Sequence, residues 1–93
     1  MKITVRFAGY YRTLAGRPSL DLELAEGATV EDALARLNEL LEGRFHDVFF
    51  RVGVRSRYPT FLILIDTQIV DRETMLREGN VMAIVPPMAG GQL

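Results

Sequence analysis

The spacing of apolar residues changes once along the first half of this chain, and that change constrains the fold more than any other feature of the sequence. Apolar and polar residues alternate through residues 2–8 and again through residues 19–24. A period of two is typical of strands buried on one side, and the short connection between these two favours an antiparallel hairpin. From residue 30 onwards apolar residues instead recur every three or four positions, which predicts an amphipathic helix.

The predicted helix has recognisable ends. Thr29 is of a type that caps helix N-termini, and Glu31 and Asp32 fall in the first turn, where the helix dipole favours negative charge. Gly43 is a natural C-terminal stop. The apolar stripe comprises Val30, Ala33, Leu34, Leu37, Leu40 and Leu41. We expect this stripe to cross one face of a sheet and to form a small core, at about 1.5–3 kcal/mol for each large apolar side chain buried.

The second half of the chain contains three more predicted strands, at residues 61–65, 69–70 and 81–85. Asp66 and Asp71 fall in the turns that follow the first two, where carboxylates commonly bind local amides. The resulting order is β-β-α-β-β-β, with a helix directly after the first hairpin. This order predicts an α+β fold, namely a β-grasp roll in which one main helix packs on one face of a mixed sheet.

The segment between the helix and the third strand, residues 44–60, has no clear period. It mixes aromatic and aliphatic residues with arginines, so we expect a partly packed loop with a short helical turn near residues 47–50. Its arginines include Arg51, Arg55 and Arg57. Because the sequence contains no RNA-binding motif, these favour a solvated loop or contact with an acidic partner surface over an RNA site. Residues 1–85 are predicted to form one domain, and residues 86–93 a tail.

Composition narrows the kinds of functional site that the chain can hold. There is no cysteine, and His46 is the only histidine, so disulfides and thiolate sites are excluded and a histidine metal site or Ser-His-Asp triad has almost no basis. The net charge of −1 creates no strong attraction to nucleic acid or anionic membranes. No apolar run approaches the ~20 residues of a membrane helix. We expect a cytoplasmic domain with no cofactor or metal of its own, and with neither nucleic acid nor membrane as partner.

The strongest functional signal is the pair Gly90-Gly91, which follows Pro86-Pro87 near the end of the sequence. Six residues, 86–91, can extend roughly 20 Å beyond the last strand, far enough to enter the active site of another protein. Glycines suit this role because a backbone without side chains passes through a narrow channel, and the prolines stiffen the base. The alternative is a frayed tail without function.

Residues 76–91, LREGNVMAIVPPMAGG, resemble the closing motif of the MoaD/ThiS sulfur carriers, which has an acidic-Gly turn, an apolar strand, Pro-Pro and Gly-Gly. The opening VRFAGYYRTLAGRPSLDLEL and the segment ATVEDALARLNELL are similar to the first hairpin and first helix of the small subunit of molybdopterin synthase. The resemblance covers about residues 2–43 and 60–91. Thiamin-pathway carriers lack such a long middle segment, so the MoaD side of the family is favoured.

The resemblance implies the chemistry of the tail. In such carriers an E1-like activating enzyme uses ATP to adenylate the terminal glycine carboxylate, and a sulfur donor then displaces AMP to leave a thiocarboxylate. The reacting carbon would belong to Gly91, with Gly90 beside it, and the carrier would be a substrate and not an enzyme. The implied sulfur acceptor is the large subunit of molybdopterin synthase or another sulfur-accepting enzyme. Alternatives are sulfur donation to cysteine or thiamin synthesis, a modifier conjugated through Gly91, and an interaction module without tail chemistry.

Gln92-Leu93 departs from the usual ending of the family, in which the second glycine is the last residue. While these residues remain, Gly91 carries a peptide carbonyl and no carboxylate to adenylate. We therefore expect a precursor that a processing protease of the metalloprotease type cuts after Gly91. The alternative is that the extension is retained and the carrier activity is lost.

The strands at 61–65 and 81–85 are apolar throughout, although one helix can cover only one face of a sheet. We expect either Leu62 and Leu64, or Phe61, Ile63 and Ile65, to remain outside, with Met82 and Ile84 as neighbours. The resemblance implies that this face binds partners, together with Pro86, Pro87 and Met88 of the tail. The alternative is that residues 44–60 bury both faces.

Overall fold

The computed structural model describes residues 1–50 and 61–87. Within these residues the chain forms five strands and three helices. In chain order they are β1 (Lys2–Phe7), α1 (Tyr10–Ala15), β2 (Ser19–Glu23), α2 (Val30–Leu40), α3 (His46–Phe50), β3 (Leu62–Ile65), β4 (Gln68–Val70) and β5 (Val81–Val85). The predicted elements are all present, and the short connection between the first two strands contains the helix α1.

The strands form one mixed sheet in the order β2-β1-β5-β3-β4. β1 pairs with β2 in an antiparallel hairpin, as predicted, and with β5 in parallel. β3 is antiparallel to both β5 and β4. The arrangement confirms the predicted α+β, β-grasp architecture. Since β5 lies at the centre of the sheet beside β1, the segment that follows β5 leaves the domain next to the end of β1.

The main helix, α2, packs on one face of the sheet, which we call the inner face. Its N-terminus is closed by reciprocal hydrogen bonds: Asp32 N donates to the Thr29 hydroxyl at 3.3 Å, and Thr29 N donates to Asp32 Oδ2 at 2.9 Å. Most residues of the predicted apolar stripe are buried, which confirms that part of the prediction. Leu40 is the exception, because its side chain is 45% exposed. At 3.6 residues per turn it lies roughly 80° around the helix from the centre of the stripe.

Aromatic residues close one end of the core. Phe45 is fully buried and stacks on Phe49 of α3, with ring centroids 5.0 Å apart. Phe7 lies 5.7 Å from Phe45, and Phe61 lies 5.3 Å from Phe49. The predicted helical turn near residues 47–50 is confirmed as α3, although the sequence did not identify Phe45 and Phe49 as core residues. Residues 51–60, which include the three arginines, lie outside the described residues.

Candidate functional site

The tail begins at Pro86, which packs against the backbone just after the end of β1. We call this position the root of the tail. Pairing between β1 and β5 continues past the last residue of β1, because Ala8 N donates to the Ile84 carbonyl oxygen at 3.0 Å. Gly9 follows with φ 58° and ψ −133°, a conformation that side chains disfavour. A Cβ atom on Gly9 would lie 3.1 Å from Cγ of Pro86. The Pro86 ring therefore packs against bare backbone, which fixes the point from which the tail departs.

The helix that follows Gly9, α1, is anchored by Tyr11. The Tyr11 side chain is buried, whereas Tyr10 is exposed and its ring centroid lies 5.6 Å away. Burial raises the pKa of the Tyr11 phenol above its ordinary value of 10.0, and the nearby Tyr10 phenol raises it further. The neutral, buried Tyr11 packs α1 against the core and thereby positions the backbone just before α1, which Pro86 contacts.

The structure describes only part of the predicted tail. Pro86 and Pro87 are both half-buried at its root. The remaining tail residues lie outside the described residues: Met88, Gly90, Gly91, Gln92 and Leu93. Their predicted roles therefore remain predictions.

The face of the sheet opposite α2, which we call the outer face, is divided into a polar and an apolar half. The polar half carries Lys2, Thr4, Arg6 and Asp21 on β1 and β2. The apolar half carries Leu62, Leu64, Ile69, Val81, Ala83 and Val85 on β3, β4 and β5. Ile69 is 67% exposed, and the strand residues of this half around it are half-buried. The apolar half is therefore a contiguous surface that α2 does not cover.

The prediction that Met82 and Ile84 belong to this surface is wrong. Both side chains are fully buried in the core, because the register pairs Ile63 with Ile84 and so turns Ile84 to the inner face. Residues alternate along β5, and the outward positions are Val81, Ala83 and Val85. Of the two alternatives for β3, the structure places Leu62 and Leu64 outside. Ile63 is buried, while Phe61 and Ile65 pack against the core.

A shallow groove lies where the two halves of the outer face meet. It has a volume of about 510 Å³ and is lined by Arg6, Leu64, Asp66, Thr67, Val81 and Ala83. One wall is the β3–β4 turn, in which Asp66 and Thr67 have φ of 49° and 78°, as a two-residue hairpin turn of type I′ requires. The small side chain of Ala83 lies between Arg6 and Leu64 in the register and leaves room above it.

The charged side chains of the outer face differ in whether they have a partner among the described residues. Lys2 Nζ lies 3.6 Å from Asp21 Oδ2, and Thr4 donates to the same carboxylate. Asp66 accepts a hydrogen bond from Val81 N at 3.0 Å and another from the Asn80 amide at 2.7 Å. Arg6 is exposed, and no carboxylate of the described residues lies within ion-pair distance of it. In the described part of the chain, the groove thus has an arginine without an ion-pair partner at one rim and a hydrogen-bonded carboxylate at the other.

Residues 1–50 and 61–87 contain no group of three histidine, cysteine, aspartate or glutamate side chains that can hold a metal ion. Their helices are too short and too polar for any to cross a membrane. His46, to which we assign no role, is exposed on α3. Asp71 binds locally, as its turn position predicted, by accepting from Glu73 N and from the Thr74 hydroxyl at 3.1 Å each.

Comparison with known proteins identifies the architecture. The model of the ThiS family matches residues 5–91. SAMP1 from Haloferax volcanii, a small archaeal modifier protein, has a TM-score of 0.82 and 22% identity over 98% of this chain and 100% of its own. A putative molybdopterin converting factor subunit 1 from Pyrococcus furiosus has a TM-score of 0.74 and 25% identity over 94% and 98%.

A third structure is the complex of subunits 1 and 2 of the molybdopterin-converting factor from Helicobacter pylori, with a TM-score of 0.60 and 21% identity over 98% of this chain and 100% of that one. Among curated proteins no sequence matches the chain. The family match spans nearly the whole sequence, and the similar structures share the fold of the chain. This chain therefore belongs to the ThiS family of small ubiquitin-like carriers and modifiers.

Proposed function

We propose that this protein is a cytoplasmic sulfur carrier whose reactive terminus is Gly91, exposed when Gln92-Leu93 is removed. The observation that carries the proposal is the end of the family match, which stops at Gly91 and leaves Gln92 and Leu93 outside it. The root of the tail supports it as well. Pro86 is held against Gly9, so the residues up to Gly91 start from a fixed point and can span roughly 20 Å into a partner.

The proposed chemistry has two steps, both on the partner enzyme. The Gly91 carboxylate attacks the α-phosphate of ATP, and pyrophosphate leaves, which converts a poor electrophile into an acyl adenylate. A sulfide-level sulfur donor then attacks the acyl carbon, the bond to AMP breaks, and a glycyl thiocarboxylate remains. ATP is bound by the E1-like adenylating enzyme, and the carrier itself supplies no cofactor, base or metal.

Processing precedes this chemistry. A carboxylate exists at Gly91 only after the peptide bond to Gln92 is hydrolysed, which requires a C-terminal processing protease of the metalloprotease type. The full chain is then an inactive precursor.

We assign the sulfur to molybdopterin synthesis, with the large subunit of molybdopterin synthase as acceptor. Two similar structures support this assignment, since they are described as subunit 1 of a molybdopterin converting factor and as a complex of its subunits 1 and 2.

The apolar half of the outer face, which includes Leu62 and Leu64, is the proposed docking surface for both enzymes. Monomers rarely leave a contiguous apolar surface of this kind bare. Pro86, Pro87 and Met88 would contact the same partners at the root of the tail.

The experiment compares the full chain with a chain that ends at Gly91. Each is incubated with the E1-like adenylating enzyme of the same organism, ATP and sulfide, and the intact mass is measured. The trimmed chain should gain the mass difference between one sulfur and one oxygen, and the full chain should not change. A third chain that ends at Gly90 controls for reactivity at any exposed carboxylate. A trimmed chain that is never adenylated would overturn the proposal, and so would endogenous protein that always retains Gln92-Leu93.

Conjugation to other proteins is the second candidate, favoured by the similarity to SAMP1. In that case the amine of a target lysine attacks the Gly91 adenylate, AMP leaves, and an isopeptide bond forms. The same incubation with cell lysate distinguishes the two, because a modifier produces adducts of high mass that depend on Gly91. Donation of the thiocarboxylate to cysteine or thiamin synthesis is distinguished by the acceptor enzyme that co-purifies with the trimmed chain.

A further inference from the structure

The most specific part of the outer face is the groove between Arg6 and the β3–β4 turn. Its floor is apolar and is formed by Leu64, Val81 and Ala83. Its depth depends on Ala83, because the register places this small residue directly between Arg6 on β1 and Leu64 on β3. The groove, of about 510 Å³, therefore has space above Ala83 for a side chain of a partner.

The two rims of the groove differ in charge. Arg6 has no ion-pair partner among residues 1–50 and 61–87, and Asp21, the carboxylate diagonal to it across β1 and β2, instead binds Lys2 and the Thr4 hydroxyl. The other rim carries the carboxylate of Asp66, and its two hydrogen bonds direct it toward Val81 N and the Asn80 amide. A partner carboxylate is therefore attracted to one rim and repelled from the other.

Arg6 is suited to a protein contact for a further reason. The aliphatic part of an arginine side chain extends an apolar surface, while its guanidinium is weakly hydrated and can bind a carboxylate with two parallel hydrogen bonds. Arginine is accordingly enriched in protein interfaces, where it commonly flanks apolar contacts.

We infer that the groove is the specificity site of the docking surface, and that it binds a partner segment in which an aspartate or glutamate lies next to a large apolar side chain. The apolar side chain occupies the space above Ala83, and the carboxylate pairs with Arg6. This inference rests on the proposed function, because the partner is taken to be the enzyme that adenylates the carrier.

The test measures the Kd between the chain that ends at Gly91 and the E1-like adenylating enzyme, for the wild type and for matched variants. Arg6→Gln should weaken binding about ten-fold, as expected for the loss of a charged hydrogen bond, and Arg6→Glu should weaken it further by repulsion. Ala83→Leu fills the groove and should also weaken binding about ten-fold. Arg36→Gln, the same change on the helix that covers the opposite face, should leave Kd unchanged. Wild-type binding should weaken as salt is raised, and Arg6→Gln should show a smaller effect.

We expect each variant to keep the fold, because all three substituted positions project from the surface of the sheet or helix. Thermal unfolding of each variant checks this. An Arg6→Gln chain that binds as well as wild type overturns the inference. So does an Arg6→Glu chain that binds as well as Arg6→Gln, because a facing carboxylate would then be absent. In both cases the proposed function stands if the wild-type chain is adenylated. A wild-type chain that is neither bound nor adenylated overturns both.

Sedimentation of the chain alone tests the other possible occupant, a second copy of this protein. A dimer that Ala83→Leu dissociates, combined with unchanged binding of this variant to the enzyme, would assign the groove to self-association and overturn the inference.

Discussion

The guanidinium of Arg72 donates a hydrogen bond to the backbone oxygen of Phe49 at 2.6 Å, which joins the turn after β4 to the last turn of α3. The same group pairs with Glu31 at 3.1 Å and lies over the rings of Phe50 and Phe61, at 5.7 and 5.5 Å. Phe50 and Phe61 are the described residues on either side of residues 51–60. Arg72 thus joins the end of α3 to the residue that precedes β3.

Replacing Arg72 by methionine should lower the free energy of unfolding by about 1.5–3 kcal/mol, since it removes charged hydrogen bonds and leaves the Phe49 carbonyl without its partner. Methionine keeps an apolar stem over the two rings, so the loss reports mainly on the guanidinium. Urea denaturation followed by circular dichroism measures it. Arg77→Met is the control, because Arg77 is exposed and its side chain makes no hydrogen bond or ion pair within the described part of the chain. Equal effects of the two substitutions would show that Arg72 has no such role.

The capping box of α2 gives a second prediction. Thr29→Ala removes the hydroxyl that accepts from Asp32 N, and a lost N-cap costs about 0.5–2 kcal/mol. Thr13→Ala, at an exposed position within α1, should be neutral or slightly stabilising because alanine is the better helix former. Thermal unfolding at neutral pH compares the pair. If Thr29→Ala unfolds at the same temperature as Thr13→Ala, the cap contributes nothing.

Gly9 gives a third prediction, which concerns the root of the tail. Gly9→Ala imposes both a strained backbone and a Cβ atom 3.1 Å from Pro86, whereas Gly27→Ala, at φ 86° with no atom within 4 Å, imposes strain alone. A strained φ/ψ costs of order 1–3 kcal/mol, and we expect Gly9→Ala to exceed Gly27→Ala because of the contact with Pro86. Pro86→Ala removes the contacting ring. Urea denaturation of Gly9→Ala, Pro86→Ala and the double variant should therefore show that the two changes are not additive.

Tyr11 predicts how stability depends on pH. Its pKa is raised in the folded protein, mainly by desolvation and then by Tyr10, above the 10.0 of an exposed phenol. The unfolded chain therefore loses this proton first, so stability is at its full value below pH 10 and falls as the pH rises from there toward the folded pKa. Urea denaturation between about pH 8 and about pH 11, which spans the ordinary phenol pKa of about 10, should show this decline. Tyr11→Phe should flatten it, and Tyr10→Phe, which removes only the lesser cause, should leave most of it. A decline that persists unchanged in Tyr11→Phe would contradict the assignment.

The sequence predicted the elements where local signals agreed with one another. β5 runs from Val81 to Val85 as expected, and α2 begins at its predicted cap. The side-chain alternation in β1 and β2 also gave the inner face correctly, since polar residues mark the outer positions. These features depend on neighbours along the chain, which is the information that a sequence carries directly.

The misplaced residues lack such a signal. Met82 and Ile84 sit in a strand that is apolar at every position, so its period says nothing about which side faces α2, and only the register with β3 decides it. Phe45 and Phe49 reach the core through a turn and one short helix, for which residues 44–60 offer no period. The contact between Pro86 and Gly9 joins residues that are far apart in sequence, and it depends on the parallel pairing of β1 and β5. Each of these features depends on tertiary contacts.

The inward and outward positions of neighbouring strands can be separated by one pair of substitutions. Met82→Asp places a carboxylate in the core and should abolish folding, because an unpaired buried charge costs several kcal/mol against a total stability of about 5–15 kcal/mol. Leu64→Asp faces outward, and we expect a loss of about 1 kcal/mol from poorer strand propensity, with the fold kept. Circular dichroism and urea denaturation measure both, and adenylation of the trimmed Leu64→Asp chain measures docking. Leu64→Asp should fold and fail to be adenylated efficiently. If it unfolds like Met82→Asp, Leu64 belongs to the core, and if it is adenylated like wild type, the apolar half of the outer face does not bind the enzyme.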